Sequence, residues 1–386
     1  MKPDNCDGVI RVSAPGKVIL HGEHSVVYGK RAVALSLDLR THLTLTPGGD
    51  IVSLDLPDLE IKESWGVDTL RVLVAQLGRK QEQQSIPLSE TDTLELCKFL
   101  NLPQDTNSPK KLALLSFLHL YMSILPHPVG LNISLTSQLP TGAGVGSSAA
   151  YGVCISASLL RFTKMLESDV FIPKPDDNLD DTQLKEVSSW AFRSEQIVHG
   201  TPSGIDNSVC TYGGAVNFKG GDISPLAIPP LQILLVNTKV SRSTKALVAG
   251  VRERRERLPS VIDPVLDALD ALADRAVEVL HQIGSATDST NIDAAFRIQQ
   301  ELVDMNQALL CALGVSHPSL DRLVGIAQSH GLHAKLTGAG GGGFGLVVVG
   351  KETVEGEAVV SCRKELEDAS YQVWTTSLGS PGITFH

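Results

Sequence analysis

The sequence predicts a protein of two closely associated lobes that contain both strands and helices. The chain has 386 residues, which is too long for one compact core. Its first part has short runs rich in Val, Leu and Thr, as strands do, whereas residues 244–283 have a mostly helical pattern. Hydrophobic residues make up 42% of the chain and charged residues 20%, which is typical of a globular protein.

The strands near the N-terminus are predicted from short apolar runs. Residues 9–12 and 18–20 form two such runs, and residues 33–45 form a longer one. The leucines of the longer run that fall on one face of an extended chain are Leu35, Leu37, Leu39, Leu43 and Leu45. Residues 131–139 alternate between apolar and polar side chains, so we expect a half-buried strand there. Further strands are predicted at residues 231–236 and 346–349.

Helices are predicted from longer apolar segments. Residues 112–124 are long and apolar enough for a buried helix, and an Ala- and Leu-rich helix ends near Leu160. Residues 244–283 are expected to be mostly helical with a break at Pro259 or Pro264, because proline disrupts a helix interior.

Polar and proline-rich stretches predict the loops and the boundary between the lobes. Residues 80–93 and 105–111 are polar and are predicted to be loops. Prolines at positions 225, 229 and 230 interrupt regular secondary structure and indicate a boundary. We therefore place the lobes at residues 1–230 and 231–386.

Charge and hydropathy argue against a nucleic-acid or membrane partner. The net charge is −10, and the densest basic stretch, residues 252–257, contains Glu253 and Glu256. No apolar run reaches the roughly 20 residues of a membrane helix, and the polar N-terminus lacks the apolar core of a signal peptide. We therefore expect a soluble cytoplasmic protein, and a peroxisomal association is left open.

The cysteines are far apart and have no metal-binding spacing. The six positions are Cys6, Cys97, Cys154, Cys210, Cys311 and Cys362. No two of them have CxxC spacing, and several have apolar neighbours. We therefore expect buried thiols in a reducing compartment rather than disulfides or a zinc site.

A glycine-rich segment, PTGAGVGSSAA at residues 140–150, is the strongest local signal of chemistry. Glycines at alternate positions let the backbone approach an anion closely, and a helix begins just after them. The unpaired N–H groups and the dipole of a helix N-terminus favour phosphate. The segment lacks the Gly-Lys-Ser/Thr ending of a Walker A loop and the G-x-G-x-x-G spacing of a dinucleotide site.

Three further segments carry chemically suggestive residues. SAPGKVILHGEH, residues 13–24, places Lys17 just after a Pro-Gly turn. EQIVHGTPSGIDN, residues 195–207, has Glu195 and Asp206 on either side of a Gly/Pro turn, where one carboxylate can bind metal and the other accept a proton. KLTGAGGGGFG, residues 335–345, has four consecutive glycines, which suggests a close approach to a ligand or to another loop.

These four segments, in this order and at these separations, resemble the GHMP kinases, a family that includes galactokinase, homoserine kinase, mevalonate kinase and phosphomevalonate kinase. HGEHSVVYG, WAFRSEQIVHGTPSGIDN and LVNTKVSRSTKALVAGV are similar to the mevalonate kinase branch of animals. The resemblance covers roughly residues 9–385. It implies the α+β fold of the family, with an N-terminal ribosomal protein S5 domain 2-like lobe, a C-terminal ferredoxin-like lobe, and an active site between them.

The resemblance also implies which residues act on the reacting groups. Asp206 matches the catalytic base of the family, and Lys17 matches the lysine that contacts this base and the reacting oxygens. His24 and Thr244 are the candidates for the acceptor side of the site.

The implied nucleotide and metal sites overlap. Ser148 and Glu195 match the residues that hold Mg²⁺ in the family. Asp58 stands where a nucleotide-contacting Asn often occurs. The residues implied to bind ATP are Lys17, Glu23, Asp58, Ser137, Gly142, Ala143, Gly144, Val145, Gly146, Ser147 and Ser148.

The implied reaction transfers a phosphoryl group from ATP to (R)-mevalonate, giving 5-phosphomevalonate for isoprenoid and sterol synthesis. A homodimer and feedback inhibition by prenyl diphosphates are implied by the resemblance as well. Two alternatives stay open: another GHMP kinase, such as phosphomevalonate kinase, and a non-catalytic sensor that binds ATP and a metabolite on the same fold. The presence of Lys17, Ser148, Glu195 and Asp206 favours a catalyst.

Overall fold

The structure of the protein is a computed structural model. It describes residues 8–77, 88–103, 108–140, 144–167, 179–226, 228, 230–285, 288–350 and 354–386. Within these ranges, no helix has both the length and the apolar character needed to cross a membrane.

The described residues contain twelve strands that belong to one sheet. The strands are β1 (Ile10–His21), β2 (Ala32–Gly49), β3 (Ile51–Leu56), β4 (Ile61–Gly66), β5 (Gly130–Ser137), β6 (Ala215–Lys219), β7 (Asp222–Leu226), β8 (Leu231–Asn237), β9 (His333–Thr337), β10 (Phe344–Val348), β11 (Gln372–Leu378) and β12 (Thr384–Phe385).

The same residues contain eleven α-helices and two short 3₁₀ helices, Ser25–Tyr28 and Pro57–Leu59. The α-helices are α1 (Val67–Leu77), α2 (Glu90–Phe99), α3 (Pro109–Ile124), α4 (Ser147–Glu167), α5 (Asp181–His199), α6 (Ile205–Tyr212), α7 (Thr244–Arg257), α8 (Pro259–Ser285), α9 (Ser289–Ala312), α10 (Pro318–Ser329) and α11 (Glu357–Asp368). Helices and strands are thus mixed along the chain, as expected for the α+β class.

Strand β2 joins the different parts of the sheet. The main path runs β4-β3-β5-β2-β11-β8-β10-β9. Along its 18 residues β2 also pairs with β1 and β6. The pairing of β2 with β11 consists of one residue pair, Leu37 with Leu378. This narrow junction connects the N-terminal strands to the four strands β8–β11, and the cleft described below lies near it.

A bulge in β1 shapes the chain around Lys17. The pairing of β1 with β2 shifts register between Pro15 and Gly16. A Cβ at Gly16 would lie 2.4 Å from Leu139 Cδ2 and 2.8 Å from the carbonyl oxygen of Val145. The first glycine loop comprises residues 140–146, of which 140 and 144–146 are described. Only glycine fits this close approach without a shift of its neighbours, so the bulge brings β1 directly against Val145 of this loop.

Most of the strands and helices predicted from the sequence are confirmed. The predicted strand at residues 131–139 is β5, and the predicted buried helix is α3, whose residues are almost all buried. The helical break occurs before Pro259, which begins α8, because proline is compatible with the first turn of a helix. Pro264 lies inside α8.

The predicted loops at residues 80–93 and 105–111 are wrong at their C-terminal ends. Residues 90–93 belong to α2 and residues 109–111 to α3. The hydroxyls of Ser89 and Ser108 accept hydrogen bonds from the backbone N–H groups of Asp92 and Lys111, so each serine caps a helix whose first turn is polar. Residues 78–87 and 104–107 lie outside the described part of the chain.

The prediction of buried thiols is confirmed for four of the five cysteines that the structure describes and is wrong for the fifth. Cys97, Cys154, Cys210 and Cys362 are buried, and Cys311 is exposed. None of these five is in a disulfide. Cys6 lies outside the described residues.

Candidate active site

A cavity of about 590 Å³ brings most of the predicted site residues together. Its wall is built by β1 and the turn after it, β5, the N-terminus of α4, the end of α5, the start of α6 and the loop before α7. The predicted residues that line it are Lys17, Glu23, His24, Asp58, Ser137, Gly144, Gly146, Ser147, Ser148, Glu195, Asp206 and Thr244.

Three predicted residues do not line the cavity or cannot be placed. The side chain of Val145 is 1% exposed and belongs to the core. Its carbonyl oxygen accepts a hydrogen bond of 2.9 Å from the backbone N–H of Lys17, so Val145 fixes β1 against the first glycine loop. Gly142 and Ala143 lie outside the described residues.

Lys17 and Asp206 form an ion pair at the cavity wall. The Lys17 Nζ atom lies 3.0 Å from Asp206 Oδ1. The side chain of Lys17 is 7% exposed, whereas that of Asp206 is 32% exposed. Asp206 lies in the first turn of α6, which starts after Gly204 with a left-handed φ of 83°. The carboxylate is therefore accessible from the cavity, and the ammonium group is held behind it.

The first glycine loop approaches Lys17 closely. Gly144 and Gly146 have φ values of 73° and 81°, a left-handed conformation that side chains rarely adopt. A Cβ at Gly146 would lie 2.9 Å from Lys17 Cγ. Helix α4 starts directly after the loop, at Ser147. Its N-terminal N–H groups therefore face the same cavity as Lys17 and favour a bound anion there.

Glu195 is a buried carboxylate whose surroundings suit a cation. Its side chain is 2% exposed, and no described residue donates a hydrogen bond to Oε1. Burial, with the nearby Asp206 carboxylate as the second cause, raises the pKa of Glu195 to about 8. The Nε2 atom of His199 lies 3.6 Å from Glu195 Oε2 and 3.4 Å from the Ser148 hydroxyl.

The side chains of Ser148, Glu195 and His199 thus lie close together in the cavity wall. A Mg²⁺ ion prefers oxygen ligands and often takes only one or two of them from the protein. Ser148 and Glu195 offer one hydroxyl and one carboxylate, so these residues fit the metal that the family resemblance implies.

The turn after β1, residues 22–28, orients His24. The Nε2 atom of His24 lies 2.8 Å from the carbonyl oxygen of Ala339. A carbonyl only accepts, so Nε2 carries the proton and donates, which leaves Nδ1 as an acceptor in the neutral ring. Burial, partly opposed by this hydrogen bond, lowers the pKa of His24 below its usual value of 6.5. The ring is therefore neutral at pH 7.

Glu23 lines the cavity, but its carboxylate has partners inside the protein. The group contacts the Lys335 ammonium, and the side chains of both residues are 0% exposed. Asn306 Nδ2 donates to the second carboxylate oxygen at 3.3 Å. A direct contact between Glu23 and the nucleotide therefore stays a prediction. The contacts that the side chain makes within the protein indicate a structural role.

Asp58 and Ser137 lie together in the cavity wall. Asp58 Oδ2 accepts a hydrogen bond of 2.7 Å from the backbone N–H of Ser137. The Ser137 hydroxyl lies 2.8 Å from the hydroxyl of Thr41. Thr244 is the first residue of α7, which Ser243 caps.

Arg242 is a site residue that the sequence analysis did not assign. It lines the cavity between the two glycine loops, and Nη1 lies 3.4 Å from the carbonyl oxygen of Thr337. A Cβ at Gly144 would lie 2.3 Å from Arg242 Nη2, and one at Gly343 would lie 2.7 Å from its Cζ. Burial lowers the pKa of Arg242. The segment SRSTK after β8 indicates a cationic side chain at the site. It contains two, Arg242 and Lys245, and the sequence alone does not tell which of them faces the cavity.

Two family profiles match the chain. Residues 110–214 match the N terminal domain of the GHMP kinases, and residues 292–367 match the GHMP kinases C terminal family. The first match spans β5, the first glycine loop and α4–α6, and the second spans the second glycine loop, residues 338–343. Both glycine loops and the segment of residues 195–207 thus fall in the matched regions, whereas residues 13–24 precede both of them.

Several full-length relatives are similar to the whole chain. Mevalonate kinase of Bos taurus is 42% identical over 98% of this chain and 95% of its own length. Mevalonate kinase of Homo sapiens is 43% identical over the same shares of the two chains. Mevalonate kinase of Arabidopsis thaliana is 35% identical over 97% of this chain and 98% of the plant protein.

Solved structures agree with this relationship at the level of the fold. Mevalonate kinase of Methanococcus jannaschii superposes with a TM-score of 0.66 at 22% identity, over 98% of this chain and 100% of the other. L. major mevalonate kinase in complex with R-mevalonate gives a TM-score of 0.65 at 22% identity, over 96% of both chains. By its sequence along nearly the full length and by its fold, the chain belongs to the mevalonate kinase family, a branch of the GHMP kinases.

Proposed function

We propose that the enzyme transfers the γ-phosphoryl group of ATP to the primary hydroxyl of (R)-mevalonate, giving ADP and 5-phosphomevalonate, and that Asp206 is its catalytic base. The observation that carries the proposal is the Lys17–Asp206 ion pair of 3.0 Å, which faces the same cavity as the first glycine loop. The names of the relatives and the mevalonate bound to the L. major protein support the acceptor.

Phosphoryl transfer requires positioning and charge neutralisation more than covalent chemistry. In the proposed reaction the Asp206 carboxylate, accessible from the cavity, accepts the proton of the acceptor hydroxyl. The Lys17 ammonium group beside it offsets negative charge on the group in transfer. Because Lys17 is held by the first glycine loop, this charge is placed before the substrates bind.

The phosphates of ATP would bind at the first glycine loop and the N-terminus of α4. Ser148 and Glu195 would hold Mg²⁺ next to them. When bound, this ion supplies positive charge that offsets the charge of the phosphate oxygens. The Arg242 guanidinium group, on the far side of Gly144, adds a further positive charge at the same loop.

His24 and Thr244 are proposed for the acceptor side. The neutral His24 ring presents Nδ1 as a hydrogen-bond acceptor, which suits a substrate hydroxyl. Thr244 adds a hydroxyl at the N-terminus of α7, where a negative group such as the mevalonate carboxylate is favoured.

One assay separates this proposal from the alternatives. ADP release would be measured with mevalonate, phosphomevalonate and galactose as acceptors, at saturating ATP and Mg²⁺. Turnover with mevalonate alone is expected. Preference for phosphomevalonate would favour the alternative kinase, and ATP binding without turnover on any acceptor would favour a sensor.

The proposed metal ligands predict a changed metal requirement. Ser148→Ala and Glu195→Gln should each raise the Mg²⁺ concentration for half-maximal activity by roughly 10-fold or more, since even indirect contacts to a metal contribute that much. Titration of activity against Mg²⁺ is the measurement. Glu278→Gln, an exposed position on α8, is the control and should keep the wild-type curve. Wild-type metal dependence in both site variants would place the ligands elsewhere.

Prenyl diphosphates are proposed as inhibitors that compete with ATP. A site made of backbone N–H groups and a helix terminus recognises charge and geometry, so it accepts diphosphates other than nucleotides. Apolar side chains from four elements line the cavity, and a prenyl tail buried there would gain ~25 cal/mol per Å². These side chains are Leu56, Leu59, Leu112 and Leu135.

Farnesyl diphosphate should therefore raise the apparent KM for ATP and leave the maximal velocity unchanged. Initial velocity is measured against ATP at several inhibitor concentrations with mevalonate saturating. Competition with mevalonate alone, or no inhibition, would contradict this binding mode.

Three finer properties rest on the family resemblance and on the sequence patterns given above. These are a homodimeric state, a cytoplasmic location, and lobes that divide at residues 230 and 231. We propose them for this chain on that basis.

A further inference from the structure

A buried chain of polar side chains connects α9 to the turn after β1. Gln299 Nε2 lies 2.9 Å from His21 Nε2, and His21 Nδ1 lies 3.1 Å from Asn306 Oδ1. The amide oxygen of Asn306 can only accept, so His21 donates from Nδ1 and accepts at Nε2. Burial, the largest cause, lowers the pKa of His21 to about 3, so its ring is neutral. Each donor in this chain therefore points towards the carboxylate of Glu23, which Asn306 reaches at 3.3 Å.

Lys335 reaches the same carboxylate from the opposite side. Its ammonium group contacts Glu23 Oε1 and also donates to the carbonyl oxygen of Leu336 at 2.7 Å. Both charged side chains are 0% exposed. Burial raises the pKa of Glu23 and lowers that of Lys335, because it disfavours the charged form of each. A buried pair of this kind is often replaceable by apolar residues without loss of stability, so stability alone does not account for it.

The pair joins the turn after β1 to strand β9. Glu23 lies in the turn after β1, and Lys335 lies in β9, which leads into the second glycine loop. A second link runs parallel to it, since His24 donates to the carbonyl oxygen of Ala339. His24 and Ala339 both line the cavity. The position of the His24 ring therefore depends on how the turn sits against the glycine loop.

The turn has an unfavourable backbone conformation that its surroundings must hold. Gly22 has a φ of 96°, and a Cβ there would lie 2.3 Å from the carbonyl oxygen of Arg31. His24 has a φ of 61°, in the left-handed region that a residue with a side chain rarely adopts. A strained residue at a functional site persists only where neighbouring contacts determine its position. The Glu23 carboxylate, one residue away, makes two such contacts, to Lys335 and to Asn306.

We propose that the Glu23–Lys335 pair holds the turn after β1 against the second glycine loop and thereby sets the position of the His24 ring, which makes Lys335 a positioning residue for the acceptor. The proposal rests on the proposed function, because it takes the acceptor to bind at His24. It differs from the expected role of Glu23 at the nucleotide, since it predicts an effect on mevalonate rather than on ATP.

The test is a double variant, Glu23→Gln with Lys335→Met. Removing both charges leaves no uncompensated ion in the core, so the double variant should unfold at nearly the wild-type temperature. Its KM for mevalonate should nevertheless rise roughly 10-fold to 100-fold, because a small displacement of a positioning group has effects of that size. The KM for ATP should change little. Lys335→Met alone should unfold at a lower temperature, because it leaves the Glu23 carboxylate without its cation.

A measurement without substrate separates this proposal from the proposed function. Hydrogen–deuterium exchange should become faster in residues 22–28 and 338–343 of the double variant. Lys30→Met is the matched control, because Lys30 lies just after the same turn and pairs with Asp267 at 2.6 Å in a partly exposed contact. This control should keep the wild-type exchange in residues 338–343 and the wild-type KM for mevalonate.

The possible results decide between the two claims. A double variant with wild-type exchange in both segments and an unchanged KM for mevalonate would overturn the positioning role. The positioning role would also be overturned if Lys30→Met changed the exchange in residues 338–343 and the KM for mevalonate as much as the double variant does. If the wild-type enzyme does not phosphorylate mevalonate, the proposed function fails, while the exchange result still tests whether the pair holds the two loops together. Should the double variant not fold, Glu23→Gln alone gives the same two readouts.

Discussion

Asp206→Asn should lower kcat by about 10²-fold to 10⁴-fold, the usual contribution of a positioned base. The substitution keeps the size of the side chain and removes its ability to accept a proton. Binding of ATP should be preserved, since Asp206 lies in the first turn of α6 and the first glycine loop belongs to another segment. The fold should be retained as well, because Asp206 is 32% exposed. Single-turnover kinetics with mevalonate, together with a titration of ATP binding, provide the measurement.

The matched control for this variant is Asp267→Asn. Asp267 is also paired with a lysine, but it lies on α8 with 65% of its side chain exposed. It should retain wild-type kcat, since an exposed pair contributes little. Near-normal kcat in Asp206→Asn would mean that another group accepts the proton, and a loss in both variants would point to a general effect of removing a carboxylate.

Lys17→Met should lower kcat by roughly 10²-fold to 10³-fold, the loss found when one stabilising group is removed from a transition state. The ammonium group lies 3.0 Å from Asp206 Oδ1, and the backbone N–H of Lys17 donates to Val145 of the first glycine loop, so the charge has a defined place next to the proposed base. The KM for mevalonate should change much less than kcat, because the charge acts mainly on the group in transfer. Steady-state kinetics with varied mevalonate separate these two effects.

Two further variants test how Lys17 acts. Lys17→Arg keeps the charge but needs more room next to Gly146, where an added Cβ would lie 2.9 Å from Lys17 Cγ, so an intermediate loss is expected. The double variant Lys17→Met with Asp206→Asn should lose little more than the worse single variant, because the two residues act as a unit. A raised KM with unchanged kcat in Lys17→Met would show that the lysine only binds substrate.

Local patterns in the sequence were sufficient for the elements around the site. Alternation of apolar and polar residues at 131–139 predicted β5, and the apolar run at 112–124 predicted α3. These predictions succeed because strands and helices bury side chains with fixed periods of 2 and 3.6 residues. The starts of α2 and α3 were missed, since their first turns are polar and depend on single serine caps.

The residue types of the candidate site also came from the sequence. Glycines next to a helix start, a lysine after Pro-Gly, and two carboxylates flanking a turn were visible without coordinates. The order of these segments along the chain identified the family, because each segment alone has common alternatives. Their roles in catalysis stay predictions until the variants above are measured.

Residue patterns alone did not determine which side chains meet, and the contact of Lys17 with Asp206 was implied only by the family resemblance. Lys17 and Asp206 come from distant segments, and their contact depends on the bulge in β1 and on the start of α6. The resemblance implied a nucleotide contact for Glu23, which stays a prediction, and the sequence assigned no role to Arg242. The fold adds the pairing of Glu23 with Lys335 and places Arg242 between the two glycine loops. Periodicity and spacing describe neighbours along the chain. Contacts between remote residues depend on the path of the sheet, which passes here through a single residue pair between β2 and β11.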